Sequence, residues 1–134
     1  MDILITEELA TAAVEHLKKS HHVVSIGSLW KEPARLKTLL AEARALMVRN
    51  QTLVTADLLA AAPKLIAVGR LGVGLDNIDV EAASRLGIVV VAPLDANAVS
   101  VAELTLGLIL ALARKIPLAD RSTKAGAACN RKVP

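Results

Sequence analysis

Aromatic residues are almost absent from this 134-residue sequence, since Trp30 is the only one and neither phenylalanine nor tyrosine occurs. Proteins that bind single-stranded nucleic acid typically stack bases on aromatic side chains set within a basic surface. The sequence lacks that combination, so we expect no nucleic-acid partner.

Cysteine is equally scarce. Cys129 is the only one, which excludes a disulfide framework and any zinc site built from several cysteines. The three histidines, His16, His21 and His22, show no spacing with carboxylates that is typical of metal ligands. We therefore expect no metal site.

Neither sign of charge dominates, because the sequence contains 16 basic and 13 acidic residues. Six basic residues and one acidic residue follow from Arg114 onward, so the basic excess belongs to the end of the chain. At the other end, Asp2, Glu7 and Glu8 occupy the place where a signal peptide would carry basic residues. We expect a cytoplasmic protein without a signal peptide.

What the sequence has is a regular alternation of short apolar runs and amphipathic segments, with 54% hydrophobic and 22% charged residues. Continuous β-branched runs separated by helices are typical of a parallel sheet covered on both faces. The pattern predicts an α/β fold, a doubly wound five-stranded parallel sheet that is flavodoxin-like or half of a Rossmann fold. The predicted strands are 2–6, 22–26, 45–48, 65–69 and 88–91, and the helices between them are 7–19, 33–43, 56–62 and 79–86.

Capping residues support several of these boundaries. Thr55 can cap the helix that Pro63 ends, and Gly87 can stop the helix before the last strand. Either Asn77 or Asp79 can cap that last helix. Glu7 and Glu8 fall in the first turn of the first predicted helix, where acidic residues favour the helix dipole.

A long apolar helix is predicted from about Val99 to Lys115, with Asn97 or Ser100 as its cap. Its apolar residues surround the axis, so we expect it to be buried on several sides, against a second domain or a second subunit. Its apolar run is shorter than 20 residues and contains Glu103, which argues against a membrane span. Residues 118–134 show no apolar periodicity. We therefore place a domain boundary between residues 97 and 98.

A glycine-rich loop follows the fourth predicted strand. Gly69, Gly72 and Gly74 form a G-x-x-G-x-G pattern, which differs from the dinucleotide fingerprint G-x-G-x-x-G. Because ligands bind at the carboxyl ends of strands in open α/β sheets, and glycines let backbone N–H groups approach an anion, the loop predicts a small-anion site. A tight turn that uses glycines for packing is the open alternative.

Polar side chains are expected on the same rim. Arg49 and Asn50 follow the third strand, and Arg49 can bind a carboxylate through two hydrogen bonds. Arg70 has the same capacity, and for both arginines an ordinary surface role stays open. Asn97 either caps the long helix or bonds a ligand.

Three blocks taken together resemble a known family. They are 48–52 (VRNQT), 68–79 (VGRLGVGLDNID) and 97–105 (NAVSVAELT). In this order and spacing they are similar to the N-terminal, substrate-binding part of the D-isomer-specific 2-hydroxyacid dehydrogenases. The resemblance extends over essentially the whole chain.

The resemblance implies a flavodoxin-like substrate domain, also called the catalytic domain, that works with a Rossmann domain binding NAD or NADP. It implies a small carboxylate substrate, with Arg49, Asn50, Gly72, Val73 and Gly74 on the substrate side. It further implies that Val73, Asn97 and Thr105 lie near the cofactor, and that the helix from Val99 to Ala113 contributes to a homodimer.

The chain departs from the family pattern in one respect. The family's catalytic arginine, glutamate and histidine, and its dinucleotide fingerprint, lie further downstream than Pro134. We therefore expect no catalytic residue and no tight cofactor binding in this chain, which would be a truncated form. Two hypotheses stay open: the substrate-binding half of an NAD(P)-dependent oxidoreductase, and a non-catalytic, anion-binding, dimerising module.

Overall fold

Five parallel strands form one sheet in the computed structural model, which describes residues 1–9 and 11–126. Six helices and a 3₁₀ turn at Leu29–Lys31 connect and follow the strands. The strands are β1 (Ile3–Ile5), β2 (Val23–Ser25), β3 (Ala45–Val48), β4 (Ala67–Arg70) and β5 (Val89–Val91). The helices are α1 (Thr11–Lys18), α2 (Pro33–Leu40), α3 (Ala56–Ala60), α4 (Val80–Arg85), α5 (Ala98–Ala113) and α6 (Ile116–Lys124).

The strand order is β2-β1-β3-β4-β5, with every pair parallel. This is the flavodoxin-like order, so the predicted doubly wound sheet is confirmed. Leu4 lies beside Leu46, and Leu46 lies beside Val68, which aligns buried side chains across β1, β3 and β4. All five carboxyl ends therefore meet at one edge of the sheet.

Helices pack on both faces of the sheet, but they cover the two faces unequally. One face packs against α2, α3 and α4, in a core that includes Leu4, Leu46 and Val68. The other face packs against α1 through a smaller cluster of Ile3, Ile5 and Val14. Toward β5 that second face is open, since the two outer valines of the strand are 60% and 58% exposed. Within residues 1–94, the predicted helix cover is therefore confirmed on one face and, on the other face, at the strands that α1 contacts.

The predicted caps of the middle helices are present. The Oγ1 of Thr55 accepts a hydrogen bond from the N–H of Leu58 at 3.3 Å, at the start of α3. Of the two candidates for α4, Asp79 is the cap, because its Oδ1 accepts from the N–H of Ala82 at 2.8 Å. Gly87 follows α4 with a φ of 71°, a left-handed conformation that suits glycine.

Two predicted boundaries differ from the structure. The first helix begins at Thr11, so Glu7 lies outside it and its carboxylate is free to make contacts elsewhere. Residues 118–134 show no apolar periodicity, yet α6 extends to Lys124 and has proline at its first turn. Cys129 lies outside the described residues.

The chain divides into two compact units, residues 1–94 and 95–134. The second contains α5 and α6, and none of the residues of these helices is buried. The exposed fraction of Leu112 reaches 78%, and the burial of α5 against a second domain or a second subunit stays a prediction. No helix among the described residues is both long enough and apolar enough to cross a membrane.

Candidate anion-binding site

The glycine loop leaves β4 at the carboxyl edge of the sheet and presents several unused backbone donors. The N–H of Leu71 still bonds the carbonyl of Val48 at 2.9 Å, which anchors the start of the loop on β3. Within the described residues, the next three amide groups, those of Gly72, Val73 and Gly74, donate no hydrogen bond. Consecutive unpaired N–H groups in a turn form an anion-binding concavity.

Arg70 places a cation against this loop. A Cβ added at Gly72 would overlap the Nη1 of Arg70, and one added at Gly74 would lie 3.9 Å from the same atom. The guanidinium therefore lies over the space that the two glycines leave open. An anion bound at the three amides would meet this positive charge.

An acidic side chain lies at the other end of the loop. The Oδ2 of Asp76 is 2.7 Å from the position that a Cβ of Gly74 would take. The carboxylate opposes binding of a second negative charge close to Gly74. The geometry consequently favours an anion placed toward Gly72 and Arg70.

Asn77 joins this loop to the segment that follows β3. Its Nδ2 donates to the carbonyl of Thr52 at 2.8 Å and to that of Arg49 at 3.3 Å. Its Oδ1 accepts from the Nε of Arg70 at 3.1 Å. One side-chain amide thus fixes Arg70 to the backbone of residues 49–52.

Glu7 holds the same segment from the other side. Its Oε1 accepts from the N–H groups of Arg49 and Thr52, each at 2.9 Å. Its Oε2 accepts from Asn50 at 3.0 Å and from Gln51 at 2.9 Å. Only 4% of Glu7 is exposed, so its charge is compensated almost entirely by these four amides.

The pKa of Glu7 reflects this arrangement. Burial alone raises the pKa of the carboxyl, but the backbone hydrogen bonds from Arg49, Thr52 and Gln51 outweigh burial and lower the pKa from 4.5 to about 2. Beside it, the hydroxyls of Thr6 and Thr52 form a buried hydrogen bond of 2.7 Å. Glu7 is therefore ionised at neutral pH.

The side chains of Arg49 and Asn50 are exposed and line an open cavity of about 680 Å³ at the carboxyl ends of β1, β2 and β3. Trp30 and Lys31 also line it, and the Nζ of Lys31 is 5.1 Å from the centroid of the indole ring. Asn77 thus connects the backbone of Arg49 to the glycine loop, but the side chain of Arg49 lines the cavity instead. The arginine side chain that covers the loop is that of Arg70.

The two candidate residues of the second unit make few bonds. Of the two candidates for the cap of α5, Asn97 occupies the N-cap position, but its side chain makes no capping hydrogen bond. The hydroxyl of Thr105 donates to the carbonyl of Val101 at 2.7 Å, within its own helix. Both side chains are exposed.

No group of three or more histidine, cysteine, aspartate or glutamate residues in the described part of the chain could hold a metal ion. His22 lies at the amino ends of the strands, where its N–H bonds the carboxylate of Asp2 at 2.9 Å. This is the edge of the sheet opposite to the glycine loop.

Two residues that organise the rim were missed by the sequence analysis. The sequence pattern places Glu7 in a helix and offers Asn77 only as a cap. A signal for Glu7 is its place directly after β1, because β1 and β3 are neighbours in this strand order. A carboxylate there can reach the amides after β3.

Comparisons with known proteins agree on one family. The family model described as D-isomer specific 2-hydroxyacid dehydrogenase, catalytic domain, matches residues 3–130. The D-3-phosphoglycerate dehydrogenase of Methanocaldococcus jannaschii is 48% identical over 124 residues, covering 92% of this chain and 23% of that protein. The chain thus spans about a quarter of the length of this relative.

Solved structures of similar proteins include complexes with cofactors. A 3-phosphoglycerate dehydrogenase of Entamoeba histolytica with bound NAD⁺ is 28% identical, with a TM-score of 0.66 over 83% of this chain and 38% of that one. An NADPH-dependent glyoxylate/hydroxypyruvate reductase of Sinorhizobium meliloti, in complex with NADP and malonate, is 27% identical. Its TM-score is 0.75 over 93% of this chain and 38% of that one.

Proposed function

Because the chain belongs to the D-isomer specific 2-hydroxyacid dehydrogenase family, as a catalytic domain, we propose that it is the substrate-binding part of an NAD(P)-dependent oxidoreductase. The reaction interconverts a D-2-hydroxy acid and a 2-oxo acid, in the manner of a phosphoglycerate dehydrogenase. Residues 1–97 form the substrate-binding domain, and residues 98–134 lead toward the cofactor-binding part of the enzyme. The single cysteine supports a reducing, cytoplasmic setting.

The observation that carries this proposal is the set of three unpaired amides at Gly72, Val73 and Gly74 beneath the guanidinium of Arg70. Backbone N–H groups and an arginine fork are the donors that suit a carboxylate. In this proposal the loop binds the carboxylate of the substrate. Arg49 and Asn50, on the adjoining segment, face the rest of an extended anionic substrate such as a phosphorylated hydroxy acid.

The cofactor would receive or deliver the hydride at the substrate carbon. The fit of this chain to such a group is partial. The sequence has no G-x-G-x-x-G to cradle a pyrophosphate, whereas Val73 is half-exposed in the loop and the amide of Asn97 is not engaged in capping. We assign Val73 and Asn97 to the nicotinamide end, and Thr105 to its vicinity.

Homodimerisation is part of the proposal. Eight large apolar side chains of α5 are more than half exposed. Monomeric soluble proteins rarely expose a contiguous apolar surface of this kind. In this proposal, the segment from Val99 to Ala113 contacts the same helix, or residues next to it, in a second copy of the chain.

A second candidate is an anion-binding, dimerising module without catalysis. It is favoured by the absence, among the described residues, of a histidine on the rim that carries the glycine loop, since His22 lies at the opposite edge. Acid–base catalysis at the substrate oxygen requires a group within hydrogen-bonding reach.

An amide NMR titration of the chain with 3-phosphoglycerate tests the binding site, and incubation with NADH and a panel of 2-oxo acids tests catalysis. We expect shifts at Gly72, Val73 and Gly74, a dissociation constant on the order of millimolar, and no turnover by this chain alone. Shifts confined to other residues would contradict the proposed site. Oxidation of NADH above background would contradict the assignment of the catalytic groups outside this chain.

A further inference from the structure

The strand order creates a crevice that the glycine loop does not use. The chain passes from β1 to the outer strand β2 on one side, and from β3 to β4 on the other. The carboxyl ends of β1 and β3 are therefore the topological switch point, where flavodoxin-like sheets bind ligands. The N–H groups of residues 49–52 lie at this point.

A side chain of the protein itself fills this position. The two carboxylate oxygens of Glu7 accept four hydrogen bonds of 2.9–3.0 Å from four consecutive amides. Each oxygen receives two of the bonds, which are charge-assisted and therefore stronger than those between neutral groups. The carboxylate is in the position that the anionic group of a ligand would take in a nest of this kind.

The same carboxylate determines the conformation of the segment that bears Arg49 and Asn50. Glu7 engages the N–H side of residues 49–52, and Asn77 engages the carbonyl side at Arg49 and Thr52. Since Asn77 also accepts from the Nε of Arg70, the chain of bonds reaches the guanidinium over the glycine loop. Displacement of the segment would shift Asn77 and, with it, Arg70.

The two neighbouring loops therefore differ in one respect. The amides after β3 are saturated by Glu7, whereas those of Gly72, Val73 and Gly74 after β4 donate to no group in the described residues. We propose that Glu7 is a positioning residue: it occupies the anion nest at the switch point, fixes residues 49–52, and leaves substrate binding to the adjacent loop after β4. This inference rests on the proposed function of that loop.

The test compares the wild-type chain with Glu7→Gln by amide NMR, with 3-phosphoglycerate as the probe. A glutamine side chain has nearly the same shape, but its NH₂ group would face two backbone N–H donors. We expect the signals of residues 49–52 to shift or broaden before any probe is added. The dissociation constant of the probe, measured at Gly72 and Gly74, should rise roughly tenfold.

Thr6→Val is the matched control for a general loss of stability. It removes the buried hydroxyl pair with Thr52 at the same edge of the sheet and leaves the carboxylate of Glu7 in place. We expect Thr6→Val to unfold at a lower temperature and to bind the probe within about twofold of wild type. A positioning role and a purely structural role are thereby separated.

Chemical rescue with a small carboxylate tests the positioning role separately from any loss of stability. In Glu7→Ala, formate at tens of millimolar should enter the vacated nest and return the signals of residues 49–52 toward their wild-type positions. If Glu7→Gln does not fold, Glu7→Asp takes its place, since it keeps the charge but is too short to bond all four amides. Its probe affinity should lie between wild type and Glu7→Ala.

The failures of the two proposals are distinguishable. A wild-type chain that does not bind the probe refutes the proposed function. Signals of residues 49–52 that stay in place in Glu7→Gln refute the role of Glu7. Equal probe affinity in wild type and Glu7→Gln also refutes it, and so does Glu7→Ala that formate leaves unchanged.

Discussion

Arg70 and Asn77 are joined side chain to side chain, with the Nε of the arginine donating to the Oδ1 of the asparagine at 3.1 Å. This bond uses one of the five N–H donors of the guanidinium and sets the direction of the other four. Because Asn77 is itself held by two backbone carbonyls, the arginine over the glycine loop has a fixed base.

Arg70→Lys should weaken anion binding although it keeps the positive charge. Lysine lacks both the Nε bond to Asn77 and the planar fork that matches a carboxylate. We expect the dissociation constant for 3-phosphoglycerate to rise by about tenfold in an NMR titration. Arg35→Lys, at an exposed pair with Glu32, is the control and should bind as wild type does. Equal affinities of the two variants would exclude Arg70 from the site.

Gly72→Ala should impair both binding and stability, because φ at Gly72 is 158°, a conformation that a side chain strains. The new Cβ would overlap the Nη1 of Arg70, the mobile end of a long side chain, so the guanidinium would move away from the loop. Gly87→Ala shares only the backbone strain, because φ is 71° but nothing lies within 4 Å of its Cβ. It should cost about 1 kcal/mol of stability and leave binding intact. Thermal unfolding measures the stability of each variant, and probe titration measures its dissociation constant. Equal losses of affinity in the two variants would contradict the expectation.

Stability should fall in acid through Glu7. Its pKa is 4.5 as an ordinary glutamate and about 2 in the folded protein, so the unfolded chain binds more protons between these values. The stabilisation is therefore complete above pH 4.5 and is lost as the pH falls toward 2. The loss amounts to at most about 3 kcal/mol.

Denaturant unfolding measured from pH 2 to pH 6 checks this expectation. Glu7→Gln should show a much shallower dependence on pH over that window, because the titrating group is gone. Glu8→Gln, at the neighbouring exposed position, should keep the wild-type dependence. A wild-type slope retained in Glu7→Gln would assign the acid sensitivity to other carboxylates.

The apolar surface of α5 should drive association. Each leucine or isoleucine removed from water contributes about 1.5–3 kcal/mol, so burying a few of them outweighs the cost of bringing two chains together. Sedimentation at micromolar concentration should show a dimer, and Leu108→Asp should dissociate it, because an interface does not tolerate an unpaired carboxylate. A wild-type monomer of 14.0 kDa would contradict the expectation.

Local signals were sufficient to predict most of the fold. The bounds of β3, the cap at Thr55 and the stop at Gly87 follow from residues within a few positions of each element. The five-stranded parallel sheet follows from the repeated spacing of apolar runs. Asp79 was one of two candidate caps, and only the structure distinguishes it from Asn77.

The rim of the sheet was predicted less completely, because its bonds join residues far apart in the sequence. Glu7 bonds amides more than 40 positions away, and no local pattern separates it from an acidic residue in a first helical turn. Asn77 likewise bonds the carbonyls of Thr52 and Arg49, which lie 25 and 28 positions earlier in the chain. Arg70 was recognised as a candidate, but its place over Gly72 depends on the contact with Asn77.

The strand order has a consequence for the way the chain is made. β1 and β2 are synthesised first, and each later strand, from β3 to β5, lies one place further toward the same edge of the sheet, in the order of synthesis. No strand has to be inserted between two partners that are already paired. This strand order therefore allows the sheet to assemble progressively during translation, and Glu7 is synthesised before residues 49–52, whose amides it binds in the folded protein.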